Sequence, residues 1–377
     1  MPESLIDFRL IPWSLFLIFS IAFFLQVIFY WVIFNRLGRY KTENISVKPE
    51  GVSVVICAHN EYERLKENLP VILEQNYPEF EVLVVNHTSD DETSFLLAEM
   101  EKQYPMLKTI VIKEDLNFFS GKKFPLSIGI KSAKFDRILL TDADCCPSSN
   151  EWISKMQSGF SADKEIVLGY GPYRPYKGLL NKLIRFDTAH IAIQYLSYAL
   201  AGLPYMGVGR NLAYVKKLFF RHKGFISHYK IRSGDDDLFI NHVANRKNTA
   251  IMVDPDSFNF SDPKQTFGKW ITQKKRHLST SHHYKLRHQI LLGFYAGSLW
   301  LFYGSLVLLL AFHWSVFPVI GLYLLRLFTQ YLVWSGCMRR LNEKDLVPFL
   351  PFYEIMMLLL NSGLLLSNIF RKPRQWK

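Results

Sequence analysis

The run VSVVICA (52–58), closed at once by His59-Asn60-Glu61, is short, apolar and β-branched, the pattern of a strand buried on both faces that ends in a polar turn. Outward from it, Leu65, Leu69, Ile72 and Leu73 recur at helical spacing within Glu63 to Glu74, and Asn76-Tyr77-Pro78 stops that helix. EVLVV (81–85) gives a second strand, Asn86 to Thr93 a polar loop, Ser94 to Gln103 a helix and Thr109 to Ile112 a third strand. Ile128 to Ala133 falls in another helix, and RILLT (137–141) is a fourth strand that ends at Asp142. Strands and helices alternating in this way predict an α/β domain with a mostly parallel sheet and right-handed crossovers. Ligands bind beyond the carboxyl ends of such strands, here His59-Asn60-Glu61, Asn86 to Asp91 and Asp142-Ala143-Asp144.

Two carboxylates one residue apart, Asp142 and Asp144, are suited to a hard divalent cation. Ser233-Gly234-Asp235-Asp236-Asp237 puts three acids in succession, which repel unless a cation or a raised pKa relieves them. A helix N-terminus would also favour acids there, and both readings stay open. Gln273-Lys274-Lys275-Arg276-His277 offers amide, ammonium and guanidinium groups to a departing diphosphate, or a basic patch to anionic lipid. Gly121-Lys122-Lys123 lacks the P-loop pattern.

The chain has 377 residues, a net charge of +12 and 49% hydrophobic residues, which excludes a disordered polymer. Its apolar matter is concentrated at the ends. Pro12 to Phe34 carries no formal charge and is long enough to span a bilayer; the basic flank from Arg36 to Lys41 places the middle of the chain in the cytosol. Ile290 to Phe312 and Val316 to Met338 form an out-and-back pair, with Arg326 inside the second turned toward protein or water. In Val347 to Phe370, Pro348 and Pro351 allow a re-entrant or interfacial segment, whereas a crossing would export the basic tail from Arg371; the choice stays open. The domains are therefore an anchor over 1–45, a cytosolic α/β domain over 46–284 and a membrane region over 285–377. Leu179 to Leu200 reads as a core helix in preference to one lying on the membrane. Cys57, Cys145, Cys146 and Cys337 show no metal-ligand spacing, and no disulfide is expected. The basic excess sits beside apolar segments and no nucleic-acid motif occurs, so the expected charged partner is the bilayer.

The ordered set SVVICAHNE (53–61), EQNYP (74–78), VVNHTSDDET (84–93), GKKFPLSIGI (121–130), LLTDADCCP (139–147), GVGRNLAY (207–214), SGDDDLF (233–239) and QKKRH (273–277) resembles the family 2 glycosyltransferases. The resemblance implies a GT-A (Rossmann-like) fold with transmembrane helices at both ends, a nucleotide-sugar donor, Mg2+ or Mn2+, and inversion at the anomeric carbon. It makes Asp142 and Asp144 the metal-diphosphate pair, with Asp144 the direct ligand, and Asp236 the general base with Asp235 in reserve. Gln273 and Arg276 match the family's Q-x-x-R-W motif, whose tryptophan is His277 here. Asn86-His87 stands where the family commonly places an acid against uracil, leaving the donor base open.

Asn60, Glu61, Ser89 and Lys122 are the further donor contacts expected, and Gly207, Gly209, Asn211 and His277 the acceptor side. The expected activity is membrane-bound transfer of a sugar to a glycan or lipid-linked acceptor on the cytosolic face of a bacterial inner membrane, for surface polysaccharide or glycolipid. The competing class is a non-catalytic nucleotide-binding subunit of a glycan-assembly complex.

Overall fold

The computed structural model describes residues 10–42, 49–113, 121–231 and 233–370; the boundary drawn at residue 45 and the tail from Arg371 lie outside them. The predicted alternation is present. Strands β1 (Val52–Ala58), β2 (Phe80–His87), β3 (Leu107–Ile112) and β4 (Arg137–Asp142) run parallel, crossed over by helices α3 (Tyr62–Leu73), α4 (Thr93–Gln103) and α5 (Lys123–Ser132). Helices α1 (Leu10–Ile28) and α2 (Asn35–Arg39) precede them. Helix α5 starts at Lys123, earlier than its apolar periodicity indicates, because Pro125 is tolerated in a first turn. It lies directly on the sheet: a Cβ on Gly129 would come within 2.6 Å of the Val55 side chain.

The remaining strands are β5 (Cys145–Pro147), β6 (Ile166–Leu168), β7 (Leu212–Val215), β8 (Thr249–Ile251) and β9 (Asn259–Ser261). The sheet has seven strands in the order β3-β2-β1-β4-β7-β6-β8, with β7 antiparallel to both neighbours. β5 and β9 form a small antiparallel ribbon beyond the end of β4, so Asp144 lies where the chain leaves the main sheet. Helices α6 (Trp152–Ser158), α8 (Lys216–Arg221), α9 (Asp237–Val243) and α10 (Phe267–Leu278) complete this part.

Helices α11 (Leu286–Ala311), α12 (Val316–Arg340) and α13 (Leu350–Phe370) come last. Among the described residues, four helical segments are long and apolar enough to cross a membrane, over Ile11–Arg39, Leu286–Ala311, Val316–Arg340 and Lys344–Ser367. The first of these contains a π turn, Phe29–Phe34, before α2. Gly336 of α12 meets Gly38 of α2 so closely that a Cβ would stand 3.4 Å from the Gly38 Cα.

Helix α7 (Leu179–Leu200) joins the two parts. It is buried, as a core helix should be, but part of what buries it is the apolar bundle. Phe186 stacks on Trp334 at 5.9 Å and packs on Tyr353 at 5.0 Å, and His190 meets Trp334 and Tyr295. Its Arg185 is clasped by Glu343 and Asp345 just before α13.

Candidate active site

Strand register sets the first half of the site. Cys57 of β1 lies beside Asp142 of β4, and Ala58 beside Asn86 of β2, so the three polar turns share one edge of the sheet. Backbone and side chains knit the first two together. The Asn60 N–H donates to Ser89 Oγ at 3.0 Å, the Asp90 N–H to Asn60 Oδ1 at 2.9 Å and the Glu61 N–H to Thr93 Oγ1 at 3.1 Å. Asn60 takes a left-handed φ of 57° to do so. Asn60 and Ser89, expected as donor contacts, thus fix the loops that frame the site. Asn86 is buried and donates to Ser94 Oγ at the start of α4.

The acids form an uneven group. Burial opposes ionisation of Asp142, but the Lys122 ammonium, supported by Arg210 and Arg276, prevails and holds its carboxyl below the usual range. Lys122, expected to contact the donor, is committed to an ion pair with Asp142. Asp144 has no such cation: burial and Asp142 push its pKa up against the weaker pull of Arg210 and Lys264. Burial, then Asp144 and Asp142, also raise Glu61 to about 7. Asp142, Asp144 and Glu61 lie near one another, with Lys122 paired to the first alone, and oxygen donors of this kind fit a hard divalent cation. Asp142, Asp144 and Cys145 have ligand atoms within 4.8 Å of one another. The Cys145 thiol is buried, 3.0 Å from Ser261 Oγ, and is the wrong donor for such an ion.

The three successive acids point to three partners. Asp235 lies near Lys122 and Lys123. Asp236 caps α9: its Oδ1 accepts the Asp237 N–H and its Oδ2 the Gly209 N–H, both at 2.7 Å. Burial, then Asp235 and Asp237, push it up to about 7 despite those two bonds. Asp237 accepts from the hydroxyls of Thr280 at 2.5 Å and Tyr284 at 2.8 Å, which tie the acid turn to the approach of α11. Asp236 thus caps the helix and carries a raised pKa at once. The turn is braced from behind by Lys123, whose ammonium donates to the carbonyls of His228, Ile231 and Ser233.

Helix α10 supplies the cations. Lys274 is buried and pairs with Asp187 of α7 at 2.6 Å, which orients the helix. Gln273 donates to the Tyr173 hydroxyl at 3.1 Å, and the Tyr173 ring carries the Arg210 guanidinium 4.4 Å from its centroid. Arg276 lies close enough to Asp142 to stabilise its carboxylate. His277 is exposed at the surface of α10, and desolvation by its surroundings, with the charges of Arg276 and Arg210, pushes its imidazole down.

On the expected acceptor side, Gly209 touches the site, since a Cβ there would stand 3.3 Å from Asp236 Oδ2. Gly207 is packed among Leu168, Leu212 and Ile240. Asn211 requires a correction: it is fully buried, accepts from the Trp152 indole and donates to the carbonyls of Tyr170 and Ser257, so it belongs to the core. Its neighbour Arg210 was the residue the sequence reading passed over. Arg210 sits near both Asp142 and Asp144, and its Nη1 is buried with no partner among the described residues. The only sequence signal was an arginine lodged between Gly209 and Asn211, next to a strand.

A mostly parallel sheet with a paired-carboxylate turn at the end of β4, and a capped acid at the start of α9, is a fold of the GT-A type. Residues 53–220 match the family model described as Glycosyl transferase family 2. The chain is 33% identical over 129 residues to a poly-beta-1,6-N-acetyl-D-glucosamine synthase of Staphylococcus epidermidis, covering 33% of this chain and 30% of that protein. It is 29% identical over 160 residues to the probable glycosyltransferase YdaM of Bacillus subtilis, covering 41% of this chain and 37% of that one. The matched stretches thus span about a third of each relative's own length. Among solved structures, the mannosyltransferase PcManGT from Pyrobaculum calidifontis, in complex with GDP-Man and Mn2+, superposes with a TM-score of 0.57 at 17% identity. That superposition covers 92% of this chain and 98% of that one, so the fold likeness extends through the apolar helices.

Proposed function

We propose that the chain is a membrane-bound inverting glycosyltransferase that moves a sugar from a nucleoside diphosphate donor to a glycan or lipid-linked acceptor, for polysaccharide or glycolipid at the cell surface. The observation that carries this reading is Asp236, an acid held by two backbone N–H groups and raised to about 7, on the side of the cleft where an acceptor would enter. A general base works best with a pKa near the operating pH.

In the proposed reaction the Asp236 carboxylate takes the proton of an acceptor hydroxyl as its oxygen forms a bond to the anomeric carbon. The bond from that carbon to the diphosphate breaks on the opposite face, which inverts the configuration. Arg276 and Arg210 meet the negative charge that develops on the leaving diphosphate; preorganised charge of this kind is commonly the largest catalytic contribution. Gln273 acts through Tyr173, which holds the Arg210 guanidinium in place. Asp144, with Asp142 and Glu61, would hold Mg2+ or Mn2+, which when bound supplies positive charge to the diphosphate. Neutral His277 offers a hydrogen-bonding surface on the acceptor side. The positive-inside rule supports a cytosolic catalytic domain, with Arg36, Arg39, Arg339 and Arg340 on its side of the bundle. The staphylococcal relative's product supports a hexosamine donor among those to be tried first.

The test is to incubate detergent-solubilised protein with Mn2+ or Mg2+, a panel of nucleotide sugars and glycan or lipid phosphate acceptors, and to measure nucleoside diphosphate release. Metal-dependent release from one donor, lost on chelation and in Asp236→Asn, is the expected result. Donor binding without release under every condition would instead identify a nucleotide-binding subunit.

A further inference from the structure

We propose that α13 does not cross the membrane but lies in the plane of its catalytic-domain face, strapped between α7 and α10, so that the chain's basic end stays on the same side as the active site. This holds whatever reaction the cleft performs.

By composition α13 is able to span, since the segment Lys344–Ser367 is as apolar as α12. Its contacts are those of a different kind of helix. Near its start, Tyr353 packs on Phe186 of α7, at the level where Phe186 also stacks on Trp334. Near its end, Ser367 Oγ accepts from the Lys275 ammonium of α10 at 2.8 Å. Helices α7 and α10 both belong to the catalytic domain, and Lys274–Asp187 binds them to each other. A helix rises 1.5 Å per residue, so a crossing would carry Ser367 roughly 20 Å away from the plane of Tyr353. The domain instead meets both ends.

Between those ends α13 passes across the bundle. Ser362 Oγ accepts the Trp300 indole N–H of α11 at 2.9 Å, and Glu354 reaches Arg326 of α12. Helix α13 touches α7, α10 and α11, whereas α1 packs on α11 over much of its length. One stripe, Leu350, Tyr353, Met357 and Leu364, is buried against protein. The opposite stripe, Phe352, Ile355, Leu359 and Leu366, is exposed and wholly apolar, which suits lipid and not water. The sequence beyond α13 supplies an independent argument: Arg371, Lys372, Arg374 and Lys377 would be exported by a crossing, against the positive-inside rule.

The test places nitroxide side chains one at a time at Phe352, Leu359 and Leu366 in the full-length protein reconstituted in vesicles, and measures their depth by oxygen and nickel-chelate accessibility. An in-plane helix gives three depths that agree within about one helical turn, roughly 5 Å. A progression of about 10 Å from each position to the next would overturn the proposal. A protease-cleavable tag after Lys377 gives a reading that requires no substitution. In sealed vesicles it is expected to be cut only from the side on which the catalytic domain is digested; cutting from the other side would equally overturn the proposal.

Discussion

The catalytic cleft and the apolar bundle both bury charge, and they treat it in opposite ways. In the bundle, the Arg326 guanidinium, with no exposed surface, donates to Gln26 Oε1 at 2.7 Å, Gln330 Oε1 at 2.8 Å and the Tyr30 hydroxyl at 2.6 Å, and it pairs with Glu354 at 2.6 Å. Glu354 accepts in turn from Tyr303 at 2.6 Å and from Gln330 at 2.8 Å. Every charge there has its counter-charge and its hydrogen bonds. In the cleft, Asp144 has only the Cys145 thiol at 3.6 Å, Asp236 has two backbone N–H groups and no cation, and Arg210 Nη1 faces no partner among the described residues. A closed network satisfies its own charges, whereas an open one keeps its charges available to a ligand.

The sharpest break in this contrast is Asp236→Asn. The substitution keeps the shape and one acceptor for the backbone N–H groups but removes the base, so turnover should fall by roughly 10²- to 10⁴-fold. The thermal midpoint should not fall. In the unaltered enzyme the base must be ionised, so kcat/KM should decline about tenfold per pH unit below about 7 and level off above it. A flat profile across pH 6 to 8 would remove Asp236 from the role.

The converse substitution belongs to the bundle. Glu354→Gln leaves Arg326 as an uncompensated charge in an apolar setting, which typically costs about 3–5 kcal/mol. Unfolding in detergent followed by tryptophan fluorescence should show a large loss of midpoint, and whatever fraction stays folded should retain its kcat. A loss of kcat with no loss of stability would show that the bundle network takes part in turnover.

Much of the cleft was legible in the sequence because its pieces are local. Strand β1 and the turns after β1, β2 and β4 follow from short apolar runs ending in polar residues, and register then brings the turns together. What escaped were pairings between segments remote along the chain. Lys122 reads as a free cation until β4 places Asp142 beside it. Asn211 and Arg210 are adjacent in one motif, yet the single 3-10 turn Gly209–Asn211 sends the first into the core and the second toward the acids. Arg326 could be recognised as costly in lipid, but Gln26 and Tyr30 come from one other stretch and Glu354 from a second, and nothing in the sequence links those stretches to Arg326. For the same reason composition left the path of α13 undecided.

A smaller effect sharpens the contrast on the cleft side. Because the folded-state pKa of Asp236 is raised to about 7, the fold binds its proton more tightly than the unfolded chain does. Its contribution to stability is fully present below about pH 4 and is lost as pH rises through about 7. Asparagine cannot ionise. The stability of Asp236→Asn relative to the unaltered protein should therefore increase between pH 4 and pH 8, reaching about 1–2 kcal/mol after allowance for solvent in the cleft.

The smallest expected change comes from removing the bundle pair altogether. With Arg326→Met and Glu354→Leu together no buried charge is left unpaired, and such replacements are often close to neutral. Gln26, Gln330, Tyr30 and Tyr303 lose partners, but Tyr30 already lies 3.5 Å from Gln26 Oε1 and can close that gap. The double variant should fall within about 1 kcal/mol of the parent, although Glu354→Gln alone costs several times that. If the double variant is as unstable as the single one, the stability resides in the polar network as a whole and not in the cancellation of two charges. In either case the midpoint isolates the bundle's share of the stability, because no cleft acid is altered and the open charges around Asp144 and Asp236 are common to parent and variant.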